Sequence, residues 1–474
     1  MLNPGMKSNH DYHAVVIGSG FTGSITAMIL ARQGSRVRIV DPVGHPRMVV
    51  GESSTPIADF LLRRLDHHFD VPLLSQWSAW GTWQAHHRDI DAGKKRGFSY
   101  YQHRRGQVSA TAESMLVAAS VDDDLSDTHW MRRDVDQRLF EECLAAGVDH
   151  DPGQSVTAVR DHRVVCGSRA YTADWIIDAS GAAGVTRRLG DVGQSRDYRS
   201  WMRTDTRCRY DHRIGVGSYS DHHRTDEDPF DGDAAAQHHL CDDRGWIWML
   251  RFASGITSVG VVQRRVGGEY QTIAPEDYPS VASVMRDSRS VSERSAGRGW
   301  RRIDRVQRWT DAVAGDHVLR MPTTAAVVDP LHSTGIAHGL AGVLRVCRIV
   351  LGDGDPAIYR DIVHREVRWI DRLVSTAYGC LGDFQRFSLA VMLYVTAAIA
   401  CEERLIAGQD DIALFGLHDA DLCRAIDRCC VWLSDASLST NEATSKLLRE
   451  IEPWNVSGFD GRSSGRYPYA ATKS

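Results

Sequence analysis

Apolar and polar positions along the chain fall into three regimes. Between Tyr12 and Asp41 the run His13-Ala14-Val15-Val16-Ile17 enters the turn Gly18-Ser19-Gly20-Phe21-Thr22-Gly23. A helix-forming stretch, Ser24 to Gln33, and a second apolar run, Val37-Arg38-Ile39-Val40, follow and end on Asp41. This order predicts a strand, a tight turn, a helix and a parallel strand. Trp175-Ile176-Ile177-Asp178 predicts a further buried strand running into the small-residue turn Ala179-Ser180-Gly181. From 196 to 310 charged, His-rich loops surround alternating segments such as Ile256-Thr257-Ser258-Val259-Gly260-Val261-Val262, which predict antiparallel strands. From Leu340 onward the spacing turns helical, with Ile358, Ile362, Ile370, Leu373 and Val374 in phase. Phe387 to Ala400 is a mostly apolar run, shorter than the roughly 20 residues a bilayer requires, and predicts a buried helix. The Gly/Ser/Arg-rich tail after Pro453 reads as loose.

The first regime also carries chemistry. Gly18 permits the turn out of the strand, Gly20 leaves room for a pyrophosphate against the backbone, and Gly23 brings helix and sheet together. The phosphates then meet the helix N-terminus, with Phe21 and Thr22 in its first turn. Asp41 stands where a carboxylate accepts from ribose hydroxyls. The plainer alternative is a βαβ unit with an incidental glycine turn.

Bulk composition narrows the class. A chain of 474 residues exceeds one small core and implies several subdomains. A net charge of −5 gives no basic field for nucleic acid. The 21 histidines include the pairs His67-His68, His86-His87, His222-His223 and His238-His239, none at metal-ligand spacing, so exposed loop histidines and no metal are expected. Ten cysteines without a Cys-x-x-Cys pair read as reduced structural thiols in a cytoplasmic protein. The short polar segment from Met1 to His10 does not read as a signal peptide, and Met6 is an alternative start.

Further segments fall in an informative order. Arg47, then the loop Gly51-Glu52-Ser53-Ser54-Thr55-Pro56, follow Asp41; the loop offers N–H groups and hydroxyls to a planar ligand edge, or simply a helix cap. With the glycine turn before it, this order resembles the flavin-binding domain shared by aromatic hydroxylases, geranylgeranyl-type reductases and flavin-dependent halogenases. Arg133-Asp134-Val135-Asp136-Gln137-Arg138-Leu139 resembles that group's helix start, which implies Arg133 near the FAD. The segment around Asp178 resembles the strand that supports the FAD domain.

Three motifs resemble the halogenases in particular. Lys95 begins Lys-x-Gly-x-x-aromatic, with Lys94 the neighbouring alternative and a solvated basic loop the plainer reading. Physically, an ammonium in a dry tunnel can hydrogen-bond hypochlorous acid, or form a chloramine if burial lowers its pKa. Gly245-Trp246-Ile247-Trp248-Met249-Leu250 resembles the family's double-tryptophan signature, with Leu250-Arg251 in place of Ile-Pro; Trp246 and Trp248 face one side of a strand, in a tunnel or in a core. Asp329-Pro330-Leu331-His332-Ser333-Thr334-Gly335-Ile336 resembles the turn that holds halide beside the flavin, which implies FAD contacts at Asp329, Gly335 and Ile336 and a halide site at Ser333, Thr334 and Gly335. His332 stands where tryptophan halogenases carry a glutamate, which turns the expectation from tryptophan toward another electron-rich ring.

The resemblance implies an α/β fold: a Rossmann-like, three-layer FAD-binding domain over 1–195 that includes the lysine loop, an antiparallel-sheet substrate domain over 196–310, a return segment of the FAD domain over 311–355, and a C-terminal helical region over 356–474. It implies an FADH2-dependent halogenase with non-covalent FAD, O2 and chloride or bromide, and hypohalous acid delivered to Lys95. A separate flavin reductase would supply the reduced flavin, since no second glycine fingerprint for a nicotinamide is present. The substrate would be a small aromatic, free or tethered to a carrier protein, with neither nucleic acid nor membrane as partner and a homodimer compatible with the reading. The competing expectation is an FAD-dependent hydroxylase or other oxidoreductase of the same fold that uses no halide.

Overall fold

The structure is a computed structural model that describes residues 9–109, 113–189, 202–222, 224–292, 299–409, 413–469 and 471. Strand β1 (Tyr12–Ile17), helix α1 (Phe21–Arg32) and strand β2 (Val37–Asp41) form the expected βαβ unit. β1 lies between β2 and β10 (Arg169–Asp178), parallel to both. β7 (Asp149–Pro152) extends the sheet beyond β2, and β15 (Val318–Arg320) adds to β10. β8 (Ala158–Arg160) and β9 (Arg163–Cys166) complete seven strands as an antiparallel extension of β10. Both faces of β1 are buried, which accounts for its unbroken apolar run. α1 packs beneath α3 (Arg132–Ala145) and α4 (Thr334–Val350).

The second sheet has ten strands. Its antiparallel middle is β11 (Thr206–Ile214), β14 (Ile256–Val266), β13 (Gly245–Arg251) and β12 (Ala236–Cys241). Beyond β12 it recruits β4 (Gly97–His103), which pairs parallel to β12, then β5 (Ser114–Ala118) and finally β16 (Arg466–Tyr467). The sheet thus combines strands of the 196–310 segment with strands from before residue 120 and from the C-terminal end. The expected boundary near 195 lies outside the described residues. A short ladder joins β3 (Ala92–Lys95) to β6 (Asp127–Trp130).

Helices α2 (Pro56–Phe69), α5 (Pro356–Gly379), α6 (Phe384–Ile406), α7 (Ala420–Ser434) and α8 (Thr440–Ile451) close the molecule. α6 runs 23 residues, well past the expected Phe387–Ala400, and is long and apolar enough to cross a membrane; 78% of its apolar window is buried inside the molecule. Two other expectations are corrected. The tail after Pro453 is anchored: Phe459 is buried, and Arg466 pairs with Asp228 at 2.5 Å and donates to Ser114 Oγ at 2.9 Å. Its polar composition hides partners far away in sequence. Nor are the paired histidines all in exposed loops. His87, His238 and His239 are buried, the last two because β12 runs between β4 and β13 under cover on both faces. The ten cysteines are free thiols, nine of them buried and Cys423 half-buried, with Cys429 and Cys430 adjacent on α7.

Candidate active site

The glycine turn opens a cradle at the N-terminus of α1. Gly18 sits at φ +104°, and a Cβ there would stand 2.6 Å from the Ala179 carbonyl oxygen, so no other residue fits. Gly20 caps α1 without any side-chain hydrogen bond. The space a Gly20 Cβ would enter is bounded only by Arg47 Nη2 and Asp136 Oδ2, each at 3.9 Å. An unsatisfied helix start with open space before it and a guanidinium beside it suits a dinucleotide pyrophosphate, so these residues fit FAD. Asp41 is buried and organises the turn: Oδ2 accepts from the Ser19 N–H at 2.7 Å and from Arg47 Nη1 at 2.9 Å. Burial opposes ionisation, but Arg47 and the Ser19 N–H hold its carboxyl below the usual range. Phe21 lies under the Arg132 guanidinium, 4.8 Å from it, and Thr22 and Gly23 are buried.

The arginine at the cradle is Arg132, which corrects the expectation of Arg133. Arg133 is exposed and pairs with its neighbour Asp134. Arg132 is buried, forms a two-pronged pair with Asp136 at 2.8 and 2.9 Å, and donates to the Gly51 carbonyl at 2.9 Å. One step along a helix turns a side chain by about 100°, which is enough to exchange solvent for the site. Asp178 is also placed differently from a ligand contact. It is fully buried and accepts from Ser180 N at 3.0 Å and Thr186 N at 2.7 Å, so it shapes the turn that Gly18 packs against.

The loop after Gly51 is laid along β6. Trp130 N donates to the Glu52 carbonyl at 2.6 Å, Ser53 bridges His129, and Ser54 N donates to the Thr128 carbonyl at 3.0 Å. The Glu52 carboxylate meets His212 of β11 at 2.5 Å, leaving Oε2 without a hydrogen-bond partner. Burial works against a charged His212, but Glu52 raises its pKa above the ordinary value. Ser53 Oγ and Thr55 Oγ1 are buried and likewise unpartnered.

On the other edge of β6 stands Lys95. Lys94 points outward to Asp123, partly exposed, whereas Lys95 is fully buried. The β3–β6 register sets Lys95 opposite Asp127, with Nζ 3.8 Å from Oδ2. Nζ donates to the Ser54 carbonyl and lies 3.9 Å from the centre of the Phe98 ring. Strand β6 therefore links the Gly51–Thr55 loop to the ammonium.

Trp246 and Trp248 share one face of β13, ring centres 6.0 Å apart, with Ile247 and Met249 in a separate core on the other face. Trp246 Nε1 donates to the Tyr378 hydroxyl at 2.7 Å, and that hydroxyl donates to Asp329 Oδ1 at 3.0 Å. The Asp329 carboxylate also takes Thr206 Oγ1 at 2.8 Å and Leu331 N at 3.1 Å. It is thus turned inward rather than offered to a cofactor, and burial raises its pKa to about 7. His238 is stacked between Tyr100 and Trp246 and bonds the Leu331 carbonyl through Nε2 at 2.9 Å; burial lowers its pKa to about 4. Tyr394 donates to the His332 carbonyl at 3.0 Å and stacks flat on the His332 ring at 4.2 Å. Both His332 nitrogens are buried without a partner, and burial, then His238, lowers its pKa to about 3.

These contacts pin the turn that starts α4. Ser333, at φ +52°, caps the helix without a side-chain bond; Thr334 is buried, Ile336 is buried, and nothing lies within 4 Å of where a Gly335 Cβ would be. The backbone N–H groups at this start have room for an anion. No group of His, Cys, Asp and Glu among the described residues could hold a metal ion.

Set beside known proteins, the chain is 25% identical over 456 residues to the tetracycline 7-halogenase of Kitasatospora aureofaciens, covering 88% of this chain and 78% of that one. It is 25% identical over 427 residues to the monodechloroaminopyrrolnitrin halogenase PrnC of Pseudomonas fluorescens, covering 84% and 73%. These similarities support a flavin-dependent halogenase family for the chain. The fold agrees: the halogenase PltM, solved with phloroglucinol and FAD, superposes with a TM-score of 0.85 at 22% identity over 96% of this chain and 99% of that one. The flavin-dependent brominase Bmp2 gives 0.59 at 16% identity over 94% and 99%. No family model matches the sequence.

Sequence reasoning missed Arg132, Asp127, His212 and Tyr378, and named Ser54 only within its loop. A regular alternation of faces along β6 would have pointed to Asp127 once its register with β3 was known. The Glu52–His212 and Trp246–Tyr378 contacts left no local signal.

Proposed function

We propose that this halogenase replaces a ring hydrogen of an electron-rich aromatic substrate with chlorine or bromine, and that Lys95 presents the oxidised halogen to the ring. Reduced FAD, supplied by a separate flavin reductase, together with O2, furnishes the two-electron oxidation that converts halide to hypohalous acid. Gly18, Gly20 and Gly23, with Arg47, Asp41 and Arg132 around them, hold the dinucleotide. The Thr334 and Gly335 N–H groups at the start of α4 hold the halide. Trp246 and Trp248 wall the path and exclude water, so hypohalous acid survives to reach Lys95.

There the ammonium donates to the oxygen of hypohalous acid and draws electrons from the halogen. A ring carbon forms the new carbon–halogen bond as the oxygen–halogen bond breaks, and the oxygen leaves as water with the proton released by the ring. Asp127 faces the ammonium from across the ladder. The observation that carries this reading is the complete burial of Lys95 between Ser54 and Asp127. A solvated basic loop would leave the amine in reach of solvent, as the half-buried Lys94 is.

The test is incubation of the protein with FAD, a flavin reductase, NADH and bromide, plus monochlorodimedone and a panel of phenols, pyrroles and indoles, with products read by mass. A bromine-bearing product that disappears in Lys95→Ala is expected. Fast NAD(P)H oxidation without the reductase, with oxygen and no halogen entering the product, would replace this reading by the hydroxylase.

A further inference from the structure

Between Arg286 and Arg308 the sequence holds eight arginines, three carboxylates and no lysine, in a chain whose net charge is −5. Part of this run lies along one edge of the second sheet. The short strand Arg301–Ile303 pairs antiparallel with β11, and Arg289–Ser290 pairs with the far end of the same strand. In that register Arg302 stands directly opposite Arg209, so the two side chains share a face with Cβ atoms about 5 Å apart. Arg207 is two residues along on the same face, about 7 Å away. The other face of β11 holds Thr206 and His212, which reach Asp329 and Glu52. The arginines therefore lie on the side turned away from the flavin cradle.

Like charges directly opposite on a ladder destabilise it. Burial lowers the pKa of Arg209, Glu276 opposes that, and Arg302 and Arg207 lower it further. Arg209 Nη2 donates to the Ile273 carbonyl at 3.3 Å, while its Nε is buried without a hydrogen-bond partner. Arg207 Nε donates to Gln263 Oε1 at 2.9 Å. No carboxylate among the described residues forms an ion pair with Arg207, Arg209 or Arg302. Asp211 and Asp205, on the same face, are engaged elsewhere: Asp211 with Arg213 at 3.0 Å and Ser290 Oγ at 2.9 Å, Asp205 with Arg265 at 3.4 Å and the Tyr270 hydroxyl at 2.9 Å. Two rings brace the guanidiniums. Trp300 lies 4.9 Å from that of Arg209 and 5.8 Å from that of Arg213; Tyr270 lies 4.8 Å from that of Arg207 and 5.7 Å from that of Arg265.

Charge on a sheet edge also guards against pairing with another sheet, and lysine at the rim suffices for that. Such a guard does not call for opposed arginines with rings braced against them. Arginine takes carboxylates two-pronged, and bracing lowers the entropy lost when it does so. Arg301 and Arg302 are exposed, and among the described residues their strand pairs with no other strand than β11. We infer that this edge is a docking surface for an acidic segment of a partner protein, which adds alongside Arg301–Ile303 as a strand and presents carboxylates to Arg302, Arg209 and Arg207. A carboxylate opposite Arg302 falls on the arginine face, next in line to Arg209. Alternate residues of the added strand are about 7 Å apart, the spacing of Arg207 and Arg209. A nucleic-acid duplex or a membrane surface offers the charge but no backbone to pair with the edge.

The test is fluorescence anisotropy with the full-length, FAD-loaded protein and a labelled heptapeptide that alternates glutamate with threonine. The controls are its glutamine counterpart and two forms N-methylated at every second amide, one in each phase. The glutamate peptide is expected to bind at least about tenfold more tightly than the glutamine peptide and than one of the N-methylated forms, and to lose about tenfold between about 50 and 250 mM salt. Arg302→Gln and Arg207→Gln each weaken it about threefold and the double variant about tenfold, whereas Arg424→Gln, an exposed arginine on α7, changes nothing. Equal binding of the glutamate and glutamine peptides, undiminished binding to the double variant, or indifference to both N-methylated forms overturns the inference. Tighter binding of a short DNA duplex or of phosphatidylserine vesicles through the same arginines overturns it in favour of that class. Self-association of the chain at low salt that vanishes in the double variant overturns it in favour of a second copy.

Discussion

The helices of the two halves begin differently. α5, α6, α7 and α8 each open on a side-chain cap: Asp355, Asp383, Asp419 and Ser439, the last in a reciprocal pair with Glu442. α1 and α4 open on Gly20 and Ser333 with no side-chain bond and with vacant space before Gly20 and Gly335. A helix start leaves N–H groups wanting acceptors. The C-terminal helices meet that need internally, whereas these two leave it open, and in the function proposed above the acceptor is a bound phosphate or halide. α2 and α3 also start without a side-chain cap, on Thr55 and Met131, so an open start marks a candidate anion site only where space lies before it.

The largest expected effect lies on the open side. Lys95→Ala lowers halogenation at least ~10²-fold, while FAD affinity, measured by fluorescence quenching, stays at the wild-type value. Undiminished product formation in a Lys94/Lys95 double alanine variant would remove the lysine from the chemistry. Next, Gly20→Val fills the open space before α1 and weakens FAD by roughly 2 kcal/mol or more, about the value of a phosphate-binding helix start; normal quenching would show that this start is not the phosphate site.

A third contrast concerns charge. The depressed pKa of His332, about 3, means that the unfolded chain takes up its proton first as pH falls below 6.5. Its stability contribution is therefore intact above pH 6.5 and lost progressively from 6.5 toward 3, at up to about 1.4 kcal/mol per pH unit. His332→Phe flattens the acid limb of a chemical-denaturation series by that slope, and an unaltered limb would place an interior partner on the imidazole. The smallest effect belongs to the capped side. Asp419→Ala costs about 1 kcal/mol of stability and leaves FAD affinity unchanged; a change in FAD affinity would blur the division between the two kinds of helix start.

What was legible in the sequence follows range. The βαβ unit, the uncapped turn at Gly335 and the shared face of Trp246 and Trp248 rest on contacts or periodicities within a few residues, and their patterns are visible one segment at a time. Arg132 differs from Arg133 by one helical step, which a short motif without tertiary contacts does not resolve. Glu52 finds His212 at a separation of 160 positions, and Arg466 finds Asp228 at 238. A histidine pair such as His238-His239 looks like surface until its strand is known to lie mid-sheet. Tyr469 finds Glu402 at a separation of 67 positions, in a stretch where no motif stands out.

In the function proposed above the protein handles hypohalous acid, and its buried thiols then carry a consequence. Such an oxidant attacks thiolate sulfur far faster than the protonated thiol. Burial holds the pKa of Cys143, Cys208, Cys380 and Cys401 near 12, and only Cys423 is even half-buried. Reagent that escapes before reaching a ring thus meets almost no anionic sulfur on its way out. Self-inflicted damage over many turnovers is then expected first at other soft side chains, and the lifetime of the catalyst becomes a property of where its cysteines lie.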